Sequence, residues 1–365
     1  MMGIHSPLEE LWRHISRQPC PKEKLILNAF VEMCSGHQSP VELAKLLEDA
    51  KFHGIFIADV LGGYDVYKSL DPAVASGAQW PVLEPLVTVP AMAAATKSIG
   101  IGATISTTYD YLDSAARNLG HTEQPAHDDR YAQAEEYIKV MYKPLNSPWR
   151  DDAVQLDRAR GIYTFFAVPG PHTVHPRSSR RSSSCRPARR GRAAIFAAQH
   201  AEAVFVSAAR PWPALCAAGD FGRGAPARTV GVLALVTPVL GNTEEGAPAK
   251  LEELRRYASL EGALAHFGRW RGIDLDQYGD DEELREVESS AAYALFPQSF
   301  KDIIDLLIPE LQRRGLFWTD YAVLGGTYRE NFYGVAGQKY PPDEHVAAKY
   351  RWAAGVPASE HHIPE

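Results

Sequence analysis

Cysteine is scarce in this chain. Cys20, Cys34, Cys185 and Cys216 are its four, set far apart with no CxxC pair. That spacing predicts neither a disulfide framework nor a zinc site. Long apolar runs are also missing, and none approaches the roughly 20 residues of a membrane span. The opening MMGIHSPLEELWRH has no apolar signal-peptide core. A soluble, cytoplasmic protein is expected. Positive charge is not in excess: the net charge is −7, which gives no general pull toward nucleic acid or an anionic membrane. Gly62-Gly63 and Gly325-Gly326 read as turns, not as a GxGxxG nucleotide fingerprint. No Ser-His-Asp signature is present. His121 and the pair His361-His362 lack ligand spacing with carboxylates and read as surface. No metal ligand and no catalytic residue is singled out.

What is present is a β-α-β rhythm. LILNAF (25–30) is short and apolar and reads as a first strand. VELAKLLEDAKFHG follows as an amphipathic helix ended by Gly54. GIFIADV is a second strand with Asp59 at its C-terminal end. The central stretch is 83–131. Leu86, Val87, Val89, Pro90, Met92 and Ala93–Ala95 are an apolar run at helical spacing, broken by Ser98 and Gly100. IGIGATIST then reads as a buried parallel strand ending in small and hydroxylated residues. Further strands are expected at 203–206 and 229–240. SFKDIIDLLIPELQRRG reads as a closing helix with an apolar side. Alternating strands and helices predict a parallel sheet, and 365 residues suit one large α/β barrel, for which about 250 residues is typical before insertions.

Polar residues at the C-terminal ends of barrel strands are where such folds place chemistry. Asp59 and Thr104 stand there. His127 and Tyr131 are spaced i,i+4 on one face of a helix starting near Asp128, whose free N–H groups and partial positive charge suit a phosphate. On residues alone, Asp59 reads equally as a cap or turn, Thr104 as an ordinary β-branched strand residue, and the His127/Tyr131 pair as a capping turn with a packed tyrosine.

Several blocks carry a resemblance: IADVLGGYD (57–65), GATIST, SAARNLG (114–120), HDDRY (127–131), HAEAVFV (200–206), LVTPVLGNTEE (235–245), YASLEGALAHFGRWRGIDLDQYGDDEEL (257–284) and PQSFKDIIDLLIPELQRRG (297–315). Together they resemble the bacterial-luciferase-like, flavin-dependent monooxygenases, in the branch of the nitrilotriacetate and dibenzothiophene-sulfone enzymes. The resemblance implies a TIM-type (β/α)8 barrel over 22–330, after an N-terminal extension (1–21) and before a C-terminal tail (331–365). It implies an FMN-dependent monooxygenase that uses reduced FMN and O2 on a small organic substrate. A separate NAD(P)H-dependent flavin reductase would supply the cofactor, and a homo-oligomer is compatible. By the same resemblance Asp59, Thr104, His127 and Tyr131 contact the flavin and converge around a cleft of FMN size.

Departures from the family pattern predict an incomplete barrel. A segment is absent between Pro40 and Val41. A helix and strand four are missing between Tyr109-Asp110 and Tyr111, and a long segment is missing before Tyr293. In 177–192 seven of sixteen residues are Arg. This run reads as an irregular, exposed basic loop; a nucleic-acid patch would need interleaved aromatics. With chosen codons, a two-base shift across Ser182–Arg190 yields Val-Val-Leu-Gln-Ala-Gly-Ala-Ser, which resembles the family's fifth strand and its flavin-contacting turn. The alternatives are therefore an impaired family remnant or a mis-called gene model, and then a deazaflavin-dependent oxidoreductase on the same fold.

Overall fold

The structure, a computed structural model, describes residues 24–33, 39–59, 61–78, 81–104, 113–147, 150–164, 185–187, 192–207, 231–271, 273–279, 298–338 and 340–364. The chain divides into two compact units, 1–125 with 236–334 and 126–235 with 335–365. No helix of the described residues is long and apolar enough to cross a membrane.

In the first unit, β1 (Asn28–Glu32), β2 (Gly54–Ala58) and β3 (Gly100–Ala103) form a parallel sheet in that order. Helices Pro40–Asp49 and Pro85–Ala95 are the crossovers. The first strand starts three residues later than LILNAF suggests. Parallel pairing begins at Asn28↔Gly54, and before it Leu25 and Leu27 bond instead to the backbone of Leu316 and His53. Gly54 does not end the first helix. That helix stops at Asp49, Lys51 takes the left-handed turn (φ 66°), and Gly54 opens β2.

The reason for glycine there is close approach. The ring of Tyr328, on helix Tyr328–Tyr333, lies over the starts of β2 and β3. A Cβ on Gly54 would sit 2.8 Å from Tyr328 Cε2, and one on Gly100 would sit 2.5 Å from Tyr328 Cδ2. Above this floor, Ala29, Val31, Ile55 and Ile57 pack with Leu47, Met92, Phe300 and Phe317 into one core. Glu48 ties the sheet to its helix: one carboxylate oxygen accepts the backbone N–H groups of Lys97, Ser98 and Ile99 at 2.7, 2.6 and 3.1 Å.

The closing helix runs Gln298–Arg313 and widens to a π turn at Ile303–Leu307. Pro309 explains the turn. It offers no N–H, and its ring would clash with the Asp305 carbonyl in a regular α-helix.

In the second unit, β6 (Cys185–Pro187), β7 (Ala203–Ser207) and β8 (Gly231–Leu235) form another parallel sheet, with helix Arg192–His200 as a crossover. This corrects the reading of 177–192 as wholly irregular. Cys185–Pro187 pairs with Ala203–Phe205, and Arg192 already opens a helix; a parallel ladder is satisfied by backbone groups, whatever the side chains. Residues 177–184 and 188–191 lie outside the described residues. So do 109–112, where the missing strand was expected.

A hairpin absent from the sequence reading, β4 (Val154–Asp157) with β5 (Ile162–Thr164), follows the long helix His127–Asn146. The stretch read as a tail is packed. Trp352 is buried, donates from Nε1 to Val356 O (2.7 Å), and stacks on His361 at 4.9 Å with rings 3° apart. His361 is thus no plain surface residue, and burial beside His362 holds its imidazole below the usual histidine range.

Candidate functional site

β2 and β3 are in register, with Ile57 opposite Ala103, and Thr104 N extends the ladder by donating to Ile57 O at 2.9 Å. Asp59 and Thr104 therefore leave the C-terminal edge of two adjacent strands, as the sequence suggests. Asp59 is half-buried and engaged by neighbours, while Thr104 is exposed. A carboxylate and a hydroxyl at one strand mouth are an acceptor and a donor–acceptor set side by side.

The loop that follows Asp59 is fastened in a way the motif blocks did not announce. Helix Asp113–Asn118, part of SAARNLG, holds the IADVLGGYD loop by three side chains. Ser114 Oγ donates to Gly63 O at 2.8 Å, Asn118 Nδ2 donates to Leu61 O, and Arg117 pairs with Asp65 at 2.5 Å. Gly62 is buried in this seam. A Cβ there would lie 2.5 Å from the Ala115 backbone nitrogen. Backbone cannot move aside as a flexible side chain does, so Gly62→Ala is expected to cost about 2 kcal/mol and to loosen the loop. Urea midpoints and protease nicking at 61–65 read that change. Tyr64, Tyr67 and Ala115 pack with Ala265 of helix Leu260–Arg271, which lies in the 257–284 block, so this helix covers the loop.

His127 is the first residue of helix His127–Asn146, one residue earlier than expected, and Tyr131 stands one turn along. The Tyr131 ring packs against Phe196 of helix Arg192–His200, with centroids 5.9 Å apart. Asp59 and Thr104 belong to the first unit, His127 and Tyr131 to the second.

A buried cluster in the second unit had escaped the sequence reading. His200, on the HAEAVFV block, is 1% exposed. Its Nε2 lies 2.7 Å from Glu135 Oε2 and its Nδ1 lies 3.1 Å from the Tyr142 hydroxyl. His345 donates from Nε2 to His200 O at 3.0 Å, and its Nδ1 accepts from Ala347 N. The i,i+4 spacing of Tyr131 and Glu135 was the one signal available.

No family model matches the chain. The long-chain alkane monooxygenase of Geobacillus thermodenitrificans is 31% identical over 435 positions, covering 90% of this chain and 98% of that protein. A crystal structure of long-chain alkane monooxygenase matches the fold with a TM-score of 0.77 over 90% of this chain and 100% of that one. The dimethyl-sulfide monooxygenase of Hyphomicrobium sulfonivorans is 28% identical over 455 positions, covering 90% of this chain and 94% of its own. A crystal structure of DmoA from the same organism has a TM-score of 0.78 over 94% of this chain and 99% of that one. Nitrilotriacetate monooxygenase component A of Aminobacter aminovorans is 24% identical over 446 positions, covering 90% and 94%. Each alignment is longer than the 365 residues of this chain, so each relative carries stretches with no counterpart here. With near-complete coverage of the alkane enzyme in both sequence and fold, the chain belongs to the luciferase-like, flavin-dependent monooxygenases.

Proposed function

We propose that this chain binds reduced FMN and uses O2 to oxygenate a small organic acceptor of the nitrilotriacetate or sulfone type. A separate NAD(P)H-dependent reductase delivers the flavin; the name "component A" of one relative supports such a division of labour. The observation that carries the reading is the full-length match, at 31% identity, to a monooxygenase of the same fold. Thr104 offers a hydroxyl and Asp59 a carboxylate at adjacent strand ends, suited to the hydrogen-bonding edge of an isoalloxazine. His127, the first residue of a 20-residue helix, and Tyr131, one turn along it, are assigned to the phosphate.

When bound and reduced, FMN supplies the electrons for oxygen activation. The protein's own work is to hold and shield. The loop 61–65, pinned by Ser114, Arg117 and Asn118 and covered by helix Leu260–Arg271, is the part suited to excluding water.

The purified chain should retain FMN, seen by absorbance, and consume O2 with reduced FMN and acceptor. Thr104→Val and Tyr131→Phe each remove one hydroxyl. At about 1 kcal/mol for a neutral hydrogen bond, and about 1.5–3 for one to a charged phosphate, Thr104→Val should weaken FMN by about fivefold and Tyr131→Phe by about tenfold or more. Tyr131→Phe should act on FMN and spare riboflavin, which has no phosphate. Unchanged binding in both variants would defeat the site assignment.

One observation favours a second reading, an impaired or incomplete copy. The relatives' alignments need 435 to 455 positions where this chain has 365 residues. If barrel strands are lost, unpaired strand edges and one missing flavin wall follow. A version with the absent segments restored from a relative should then bind FMN more tightly than the chain itself. Equal affinity and activity in both would sink this second reading.

A further inference from the structure

We propose that Glu135, His200 and Tyr142 form a positioning cluster that fixes helix His127–Asn146 along its own axis and thereby sets where His127 and Tyr131 stand for the flavin phosphate. The proposal rests on the assignment of those two residues to the phosphate end. Tyr131 and Glu135 are spaced i,i+4 on one helix, and Phe196 and His200 are spaced i,i+4 on the other. Tyr131 packs on Phe196 (5.9 Å between centroids), and Glu135 bonds His200 at 2.7 Å. The two helices therefore run in step, with the polar contact one turn beyond the aromatic one.

An apolar seam cannot hold that step by itself. Ala134 and Ile138 are buried, and their contacts are non-directional, so an axial slip of a fraction of the roughly 1.5 Å rise per residue changes their burial little. The same slip breaks hydrogen bonds at 2.7 and 3.1 Å, whose strength falls steeply with misalignment.

His200 is suited to the task because both ring nitrogens are engaged by the same helix. Glu135 accepts from Nε2–H, which leaves Nδ1 to accept from the Tyr142 hydroxyl. Glu135 and Tyr142 are seven residues apart, two turns, so the ring is gripped from two levels of helix His127–Asn146. The grip is backed from behind. His345 donates to His200 O at 3.0 Å, and Tyr350 packs on Tyr142 with centroids 5.4 Å apart. Phe196 packs on the His200 ring at 4.6 Å, which closes the cluster toward Tyr131.

Displacement of about 1 Å at a bound group is enough to cost orders of magnitude where geometry matters, so a loosened helix should discriminate phosphate poorly. The experiment compares dissociation constants for FMN and riboflavin, by flavin fluorescence quenching, in the full chain and in Glu135→Ala, Glu135→Gln and Tyr142→Phe. In Glu135→Gln the amide oxygen can still accept from Nε2–H. The wild-type preference for FMN over riboflavin should fall at least tenfold in Glu135→Ala and several-fold in Tyr142→Phe. It should return in Glu135→Gln. Riboflavin affinity should hold steady in every variant, while the thermal midpoint should fall in Glu135→Ala, which leaves the buried His200 Nε2–H without its acceptor, and return in Glu135→Gln. Glu135→Ala with the full preference, or an equal loss for FMN and riboflavin, would overturn the positioning role and leave the phosphate assignment standing. No preference for FMN in the wild type would remove the phosphate assignment, and the positioning role with it.

Discussion

Lowering the pH from 7 to 4 should cost the first unit about 3 kcal/mol of stability through one side chain, and His53→Phe should abolish that loss. His53 is fully buried, and neither ring nitrogen has a hydrogen-bond partner among the described residues. Its neighbours are the edges and faces of Phe317, Trp318 and Tyr321, with centroids 6.0, 6.0 and 6.2 Å away. None of these can stabilise an imidazolium enough to replace water, and burial pushes the histidine from 6.5 down to about 4. The unfolded chain therefore binds the proton more tightly than the folded one. Stability is whole above pH 6.5 and drains as pH falls toward 4, at about 1.36 kcal/mol per unit.

The carboxylates respond in a lower window. Glu310, held down to about 2 by hydrogen bonds from Arg313 and Arg314, loses its contribution only below its ordinary value of 4.5. The interval between pH 6.5 and 4.5 is thus where the wild type and His53→Phe should diverge. Denaturant melts at half-unit steps of pH would show it, and parallel curves for the two proteins would refute it. At pH 7 the phenylalanine variant should also be more stable, by about 1–3 kcal/mol, because two unpaired buried polar atoms are gone.

Gly100→Ala should be still more damaging to the same unit. The new Cβ would stand 2.5 Å from Cδ2 and 2.7 Å from Cγ of Tyr328. These atoms lie near the root of that side chain, so rotation cannot clear them. Helix Tyr328–Tyr333, which carries it, is anchored by a capping box between Thr327 and Glu330. Either the strand or the helix must shift, and overpacking of this kind costs about 3 kcal/mol or more. Gly279→Ala is the control, since nothing lies within 4 Å of a Cβ there. A drop in urea midpoint for Gly100→Ala with none for Gly279→Ala is the expected result. Equal midpoints would mean that the ring does not rest on the strand.

Both residues show where the sequence stops being legible. LILNAF, GIFIADV and IGIGATIST announce themselves as strands because apolar, β-branched runs end in glycine or polar residues. Gly54 and Gly100 look like punctuation in that pattern. Their real cause is the aromatic ring of Tyr328, far downstream, which no local rule registers. β6 was hidden for the opposite reason: Cys-Arg-Pro amid arginines has no strand composition, and only the crossover through Arg192–His200 gives it a partner. The place of Asp59 and Thr104 at adjacent strand ends was legible because strand ends follow from strands. His200 was not, because a lone histidine in an alanine-rich helix says nothing until Glu135 and Tyr142 are placed beside it. Those two lie 65 and 58 residues away.

The two units also impose an order on synthesis. The sheet β1–β2–β3 emerges from the ribosome early, yet Phe300, Ile308 and Phe317, which close its core, come far later in the chain. The second unit waits longer still, since His345 and Tyr350 back the Tyr142–His200 contact. For most of translation the nascent chain must carry an uncapped sheet and a half-gripped helix. It is a protein whose dependence on chaperones should be set by elongation speed through residues 236–350, and slow codons there would lengthen the exposure.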